Sequence, residues 1–388
     1  MYMPVSGETV AVLPLIMIGF FVGVIGGFFG IGGAFIITPA LNIFGFPMIY
    51  AVGTDMAHMI GKSTVSTFRH WKFGHVDVVL ALLMIAGTAV GIEIGARTVI
   101  WLTVLGMAET FMRFIFILIL WTMGIYMFWE YYYTNRISMT EHRIVKDVAG
   151  SRLSSLLQTL NIPPVITLKR SGIRISLWII LLVGVLTGFV AGFLGVGGGF
   201  VRMPALMYVI GVPMKLAVGT DLFQILVSGT YGGFTYSLKG YVDIYGAIIM
   251  LVGGAAGAQL GTIATRYVFG TKMRLYFAIC LCGSALGVMA KQISFYKQQA
   301  YLSAMKGYLA AQGIDPGQAA EVLKNEEKVS ALLAANPVWQ QLAADEKLWN
   351  ALGGVMMLGL AAGLSAIIIS KCIIGIIVEK KRGVVLGA

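Results

Sequence analysis

The chain has 388 residues, of which 58% are hydrophobic and only 12% are charged, with 50 glycines and a mean hydropathy of +0.86. A soluble core cannot absorb so much apolar surface, so these values exclude a soluble globular protein and indicate a polytopic membrane protein. The formal net charge is +11, and the basic residues lie largely beside apolar segments. In that position they usually set the orientation of the protein in the membrane, so they do not indicate binding to nucleic acid.

Apolar runs along the chain approach the roughly 20 residues that a helix needs to cross the hydrocarbon of a bilayer. Transmembrane strands would be shorter and would alternate in polarity, so the runs predict helices and an all-α fold. No basic residue precedes the first run, which predicts that it is retained and not cleaved as a signal peptide. The runs cover residues 10–25, 78–92, 111–129, 177–194, 247–263 and 352–378.

One glycine-rich element occurs twice in the chain. GGFFGIGGAFIITPAL at 26–41 returns as AGFLGVGGGFVRMPAL at 191–206, and the following AVGTD segments match after an insertion of one residue. Glycine interruptions at corresponding places in two halves indicate the substrate site of a secondary transporter. The sequence therefore predicts two membrane repeats of about five helical elements each, with the glycine elements as broken helices, followed by a final transmembrane helix.

Charge bias predicts which regions face the cytoplasm. The connection at 131–175 carries seven lysines and arginines against two acids, whereas the first ten residues carry only Glu8 and segment 291–348 holds six basic and six acidic residues. Strongly basic connections remain on the cytoplasmic side. We therefore expect an external N-terminus, a cytoplasmic C-terminus and two halves of opposite orientation in the membrane.

The predicted organisation has five parts. The central connection is expected to be a linker with a short helix near 152–160, and the outer insertion a helical cap with helices near 298–311, from Pro316 and after Pro337. The sequence leaves open whether the insertion covers an entrance, pairs two subunits into a homodimer or lies free on the surface. The parts are the first membrane repeat 1–130, the cytoplasmic linker 131–175, the second membrane repeat 176–290, the extracytoplasmic insertion 291–348, and the final transmembrane helix with its cytoplasmic tail 349–388.

The glycines of the repeated element are candidate substrate-binding positions. Backbone amides at the start of a half-helix can surround an anion, because free N–H groups and the helix dipole favour negative charge there. The alternative is close packing of helices, for which membrane proteins also use small residues. The candidate positions are Gly30, Gly32, Gly33, Gly195, Gly197 and Gly198.

Thr54-Asp55 and Thr220-Asp221 lie at equivalent positions, early in the more polar helix of each half. The two threonines are candidate substrate ligands. An aspartate inside the membrane indicates a site for a coupling proton, whereas an aspartate in the first turn of a helix is also a common cap. The sequence leaves both roles open for Asp55 and Asp221.

Two basic residues complete the predicted site. Arg202 lies inside the second glycine element, where the first repeat has Ile37. A guanidinium near the bilayer midplane is costly unless it meets an anion or an acid, so Arg202 either binds the substrate or pairs with Asp55 or Asp221. The alternative is extension of Arg202 to the membrane edge. Lys62 follows Asp55 by seven residues, near the same helix face, and would supply a second cation for the substrate.

The sequence gives little support for a metal, another cofactor or an enzyme. Asp55 and His58 have i, i+3 spacing, but two ligands are too few for a metal site, and Gln224 stands in place of the histidine in the second half. Paired histidines for a haem and a cysteine cluster are both missing from the sequence. We expect neither a cofactor nor catalytic activity.

At these residues the chain resembles the sulfite exporter TauE/SafE family of membrane transporters, the TSUP family, whose hallmark is a glycine-rich, proline-ended element repeated in two halves. The resemblance rests on both glycine elements, both AVGTD segments and GTAVGIEIGA at 87–96, in order and spacing. It implies a secondary carrier in the cell inner membrane for small sulfur-containing anions such as sulfite, organosulfonates or thiosulfate, coupled to a proton gradient. The alternative is a transporter or channel for another small anion or a metabolite carboxylate.

Overall fold

Seven helices in the described part of the chain are long and apolar enough to cross a membrane. The computed structural model describes residues 2–7, 10–141, 152–159, 162–194, 198–268, 270–324 and 326–381. Most of these residues are helical, which confirms the all-α polytopic class. In chain order the elements are α1 (Val12–Phe29), α2 (Ala34–Ile43), α3 (Met48–Lys72), α4 (Val78–Val104), α5 (Ala108–Glu141), α6 (Arg152–Thr159), β1 (Val165–Leu168), β2 (Ile173–Ser176), α7 (Leu177–Leu194), α8 (Gly199–Ala205), a π-helical turn (Leu206–Ile210), α9 (Met214–Leu238), α10 (Ile244–Ala264), α11 (Gly270–Ala311), α12 (Pro316–Lys324), α13 (Glu326–Ala335) and α14 (Pro337–Lys381).

The two more polar helices, α3 and α9, lie side by side in the interior. Each has 25 residues, which is about 37 Å of helix and long enough to span a bilayer. The backbone at Gly53, near the start of α3, meets Tyr241 beyond the end of α9. Gly219, near the start of α9, meets His75 beyond the end of α3. The two helices are therefore antiparallel.

The first helix of each half packs against a helix of the other half. α1 lies parallel to α10, and α7 lies parallel to α4, with glycines at both contacts. A Cβ added at Gly19 would collide with the backbone of Met250, and one added at the equivalent Gly184 would collide with that of Met84. Small residues allow the close approach through which helices associate in lipid. The contacts recur with the halves exchanged, as an approximate twofold relation between the halves gives, and the inverted orientation of the halves in a bilayer stays a prediction.

The one-residue insertion of the second repeat forms the π-helical turn that follows α8. A π-turn is a stretch of helix with wider hydrogen-bond spacing, so it absorbs an additional residue without ending the helix. Gly211, with φ of 93°, then terminates the segment. Met214 consequently starts α9 just as Met48 starts α3, each directly after a proline, so the insertion leaves the register of the more polar helices unchanged.

The connection between the halves contains more structure than its sequence pattern predicts. α6 agrees with the predicted short helix near 152–160. α5 continues beyond residue 130 to Glu141, and β1 pairs with β2 in an antiparallel hairpin before α7. Strands of four residues are too short for alternation of polarity to reveal them, so the hairpin has no clear signal in the sequence.

The insertion at 291–348 forms a small helical bundle with its own core. α11 continues out of its apolar stretch to Ala311, and α14 begins at Pro337, well before the predicted span at 352–378. The starts of α12 and α14 agree with the predicted proline positions. The bundle core consists of the buried side chains Tyr301, Met305, Trp339 and Ala343.

Candidate functional site

The repeated glycine elements form sharp turns between helices. The chain passes from α1 into α2 through residues with left-handed φ angles of 80°, 70° and 76°, which are Gly30, Gly32 and Gly33. Gly198, with φ of 70°, is the N-cap of α8 in the second half. Glycine adopts such angles without the strain that a side chain would add. The other two predicted positions, Gly195 and Gly197, lie outside the described residues.

The two glycine elements touch each other in the interior. A Cβ added at Gly199 would lie only 2.7 Å from the carbonyl oxygen of Ile31, so the backbones are in direct contact. The equivalent side chains of Phe35 and Phe200 also face each other, with ring centroids 6.2 Å apart. The half-helices α2 and α8 therefore begin close to one another, between the antiparallel pair α3 and α9.

The ammonium group of Lys62 lies beside the turn that starts α2. Lys62 is 1% exposed, and its Nζ is 3.5 Å from the position that a Cβ on Gly33 would take. Among the described residues this Nζ has no hydrogen-bond partner, and the buried hydroxyls of Ser63 and Ser66 on the same helix have none either. A helix N-terminus carries positive partial charge, so a cation beside it is unfavourable unless an anion joins them.

Arg202 lies at the corresponding place in the second half. Its Nη2 is 3.2 Å from the position of a Cβ on Gly198, the N-cap of α8. Its Nη1 forms an ion pair with Asp221 Oδ1 at 3.2 Å, and both side chains are fully buried. Extension of Arg202 to the membrane edge is therefore wrong, and one of the two predicted alternatives, pairing with Asp221, is present. Each half places a cation next to the glycine that caps its half-helix.

Asp55 is bound by neighbouring polar groups of the first half. Its Oδ2 accepts a hydrogen bond from Thr38 Oγ1 on α2 at 2.9 Å, and its Oδ1 lies 3.4 Å from Nδ1 of His58. Lys62 lies two turns further along α3, which separates the two positions by about 10 Å along the helix axis. The interior thus holds one close ion pair, Arg202 with Asp221, and one separated pair, Lys62 with Asp55.

The capping interpretation of the repeated aspartates is wrong. Asp55 and Asp221 are each the eighth residue of a helix, well beyond the first turn. The caps belong to another repeated pair, Asp77 and Asp243, which begin α4 and α10 and accept hydrogen bonds from backbone N–H groups at 3.2 and 3.3 Å. Asp55 and Asp221 are therefore available for a role in the interior.

Thr54 and Thr220 connect the site helices to these capped ends. Thr220 Oγ1 accepts a hydrogen bond from the backbone N–H of Asp77, and Thr54 Oγ1 accepts one from Asp243, both at 2.9 Å. Thr54 is about 12 Å along α3 from Lys62. The structure therefore places the two predicted threonine ligands at the ends of the site and not beside the glycine turns.

A repeated Ser-Gly turn, which the glycine pattern does not reveal, completes each end. Ser171 Oγ donates to Asp77 Oδ2 at 2.6 Å, and Ser6 Oγ donates to Asp243 Oδ2 at 3.4 Å. Ser6-Gly7 and Ser171-Gly172 precede α1 and α7 by the same number of residues, a two-residue signal too short to identify alone. We call Ser171, Asp77 and Thr220 the Asp77 latch, and Ser6, Asp243 and Thr54 the Asp243 latch.

The charged groups between these latches are shielded from solvent. Each is at most 1% exposed, and they are Asp55, Lys62, Arg202 and Asp221. The described turn glycines, Lys62 and Arg202 lie together, with the aspartates flanking them. The conformation is therefore closed at both ends, and a solute would reach the charges only after a rearrangement.

The fold and site define a polytopic helical membrane protein with a charged interior enclosed between two similar halves. The sequence profile of the family described as Sulfite exporter TauE/SafE matches residues 15–288. The chain belongs to this family.

Proteins similar to this chain are named as membrane transporters. The chain is 26% identical to the probable membrane transporter protein YunE of Bacillus subtilis, over 65% of this chain and 88% of that protein. It is 27% identical to the probable membrane transporter protein MJ0441 of Methanocaldococcus jannaschii, over 73% of this chain and 95% of that protein. No solved structure matches the chain. The family and these relatives support assignment of the chain as a multi-pass membrane transporter.

We expect Asp77→Ala to destabilise the protein by about 1–2 kcal/mol, because it removes both a helix cap and the carboxylate of the Asp77 latch. The matched control is Asp345→Ala on the outer bundle, where the carboxylate pairs with Lys297 and is 39% exposed. An exposed ion pair contributes at most about 1 kcal/mol. Thermal unfolding of the purified variants in one detergent measures the difference. Equal unfolding temperatures for the two variants would show that the latch contributes no stability.

Proposed function

We propose that this transporter is a secondary active carrier of small sulfur-containing anions, with sulfite, organosulfonates and thiosulfate as its substrate class. The substrate would bind between the two repeats, at the turn where α2 begins. The observation that carries the proposal is the buried ammonium of Lys62, which lies beside Gly33 without a hydrogen-bond partner among the described residues. The description of the family as sulfite exporters supports the sulfur-containing class.

The chemistry of an oxyanion suits this arrangement. Its oxygens would accept hydrogen bonds from the Lys62 ammonium and from the first backbone N–H groups of α2, which have no acceptor within the helix. Charge-assisted hydrogen bonds in a site without water are stronger than those between neutral groups. Arg202 would add positive potential from the second half, while Asp221 keeps that guanidinium fixed.

Asp55 is the better candidate for the coupling proton. Asp221 is already in contact with a guanidinium, whereas Asp55 is held by Thr38 and His58. An anion at Lys62 would remove the positive charge that favours the Asp55 carboxylate, so anion binding and proton binding would favour each other. Such linkage is what proton-coupled transport of an anion requires. Asp221 would then serve mainly to hold Arg202.

In the proposed orientation the protein lies in the cell inner membrane, with its N-terminus outside and its C-terminus on the cytoplasmic side. The seven basic residues of 131–175 support a cytoplasmic connection. The hairpin turn contacts the loop after α3 through Arg170, which donates to the Val76 carbonyl, and the end of α14 contacts Tyr267 through Glu379. The basic connection and the end of the last helix thus lie with the ends of α3 and α10.

Replacement of Lys62 by methionine tests the substrate site. We expect Lys62→Met to weaken anion uptake roughly tenfold to a hundredfold, because a charge-assisted hydrogen bond is lost while the volume of the side chain is kept. Uptake of labelled sulfite, thiosulfate and sulfoacetate into proteoliposomes measures the effect, with acetate as the carboxylate comparison. The control is Lys239→Met, outside the site.

Saturable sulfur-anion uptake that is equal in Lys62→Met and Lys239→Met would contradict the site. Uptake of acetate in place of the sulfur anions would contradict the substrate class and favour the carboxylate alternative. Arg202→Ala is a weaker test, because it leaves Asp221 as an unpaired buried carboxylate and so destabilises the fold.

Proton coupling is tested by Asp55→Asn. An imposed pH gradient should accelerate uptake by the wild-type protein, and Asp55→Asn should abolish this acceleration because an amide cannot take up the proton. Exchange of anion across the vesicle membrane without a gradient should persist, and Asp345→Asn is the control. An undiminished response to the gradient in Asp55→Asn would remove Asp55 from the mechanism. Passive flux through the wild-type protein that ignores the gradient would indicate a channel.

A further inference from the structure

A basic groove lies on the side of the helix bundle, away from the glycine turns. It runs between the C-terminal halves of α3 and α10 and encloses about 1050 Å³. Three cations line it, Arg69, Lys72 and Arg266, together with apolar walls from Phe68 and Ile263. No described residue that lines the groove is acidic. The groove thus combines positive charge with an apolar surface.

The three cations are held by neutral partners. The Arg266 guanidinium lies 3.9 Å from the ring centroid of Phe73, and Lys72 Nζ lies 4.8 Å from that of Phe68. Arg69 Nη2 donates to Gln259 Oε1 at 3.3 Å. Aromatic rings and an amide orient cations but do not neutralise them. The positive charge of the groove therefore remains available to an anion.

The equivalent groove of the other half is different in charge. There α4 and α9 provide Glu93, which matches Gln259, and Arg97, which matches Ile263. Arg97 Nε is 2.6 Å from Glu93 Oε1, and Lys239 also interacts electrostatically with Glu93. In the second groove the Glu93 carboxylate therefore offsets the positive charge of Arg97. Among the described lining residues, the first groove thus has three cations and no carboxylate, whereas the second has one cation and one carboxylate in contact.

The location of the groove indicates which anions reach it. Phe68 and Trp71 at this end of α3 are 64% and 50% exposed, as expected for side chains that face lipid. The loop directly after α3 contacts the basic hairpin, and Tyr267 directly after α10 contacts the end of α14. The cations thus lie at the edge of the spans, where phospholipid headgroups lie, and the apolar walls lie beside the hydrocarbon.

We infer that this groove binds an anionic phospholipid, with its phosphate between Arg69, Lys72 and Arg266 and an acyl chain along Phe68 and Ile263. Basic pockets between helices at a membrane edge suit such headgroups, and each cation contributes to the affinity. The site is independent of the proposed substrate site, because the Lys62 ammonium faces the turn at Gly33 and not the groove.

Lipid titration of the detergent-purified protein, followed by native mass spectrometry, tests this site. Dioleoyl phosphatidylglycerol should bind more tightly than dioleoyl phosphatidylcholine, which has the same acyl chains and no net charge. The double variant Lys72→Gln with Arg266→Gln should bind phosphatidylglycerol roughly 25-fold more weakly, from about fivefold for each cation. The matched control replaces Arg97, which lines the equivalent groove, and Lys239, which lies near Glu93 of that groove, by Arg97→Gln with Lys239→Gln, and should change binding by less than about twofold.

Three outcomes would overturn the inference: equal binding of the two lipids by the wild-type protein, equal losses in the two double variants, or displacement of phosphatidylglycerol by millimolar inorganic phosphate, which would indicate a free-anion site. If the groove variant does not fold, the lipid comparison on the wild-type protein still decides. Lys72→Arg with Arg266→Lys, which keeps both charges, should then retain the lipid preference. Lys62 is unchanged throughout, so the outcome does not depend on the proposed transport site.

Discussion

Backbone contact between the two glycine elements is the constraint on which the rest of the structure depends. A side chain at Gly199 would collide with the Ile31 carbonyl, so α2 and α8 can begin side by side only because glycine is present. The same absence of side chains lets α1 pack on α10 and α7 on α4. These contacts place α10 beside α3 and α4 beside α9, and one buried cation of each half lies at the start of a half-helix. Charge that would be costly in lipid is thereby held inside protein.

The two halves share a framework but differ in charge. In the second half Arg202 and Asp221 compensate each other, whereas in the first half Lys62 lies two helical turns from Asp55. A symmetric framework with asymmetric charges would let one half keep its arrangement while the other exchanges an anion and a proton. The two latches also connect the halves, because each latch joins residues of both halves at one end of the site. In the proposed carrier, opening at one end requires that the latch at that end separates while the other persists.

Much of the fold follows from the sequence, because the spans are long apolar runs and the glycine element is repeated with its glycines and its proline at corresponding positions. The pairing of Arg202 with Asp221 is one of several alternatives that the sequence leaves open, since a pattern of residues gives spacing along a helix but no distance between helices. The capping hypothesis for Asp55 was wrong because a cap must lie in or before the first turn, whereas α3 begins at Met48, seven residues before Asp55. Single residues such as Ser6, and strands of four residues, give signals too short to separate from chance.

The position of a bound anion tests the central claim most directly. Electron cryomicroscopy of the protein in lipid nanodiscs with selenite, a heavier analogue of sulfite, would locate it by its stronger scattering. The account predicts density within about 3 Å of Lys62 Nζ and of the first backbone N–H groups of α2. Density confined to other parts of the protein, with Lys62 bound instead to a protein group, would contradict it.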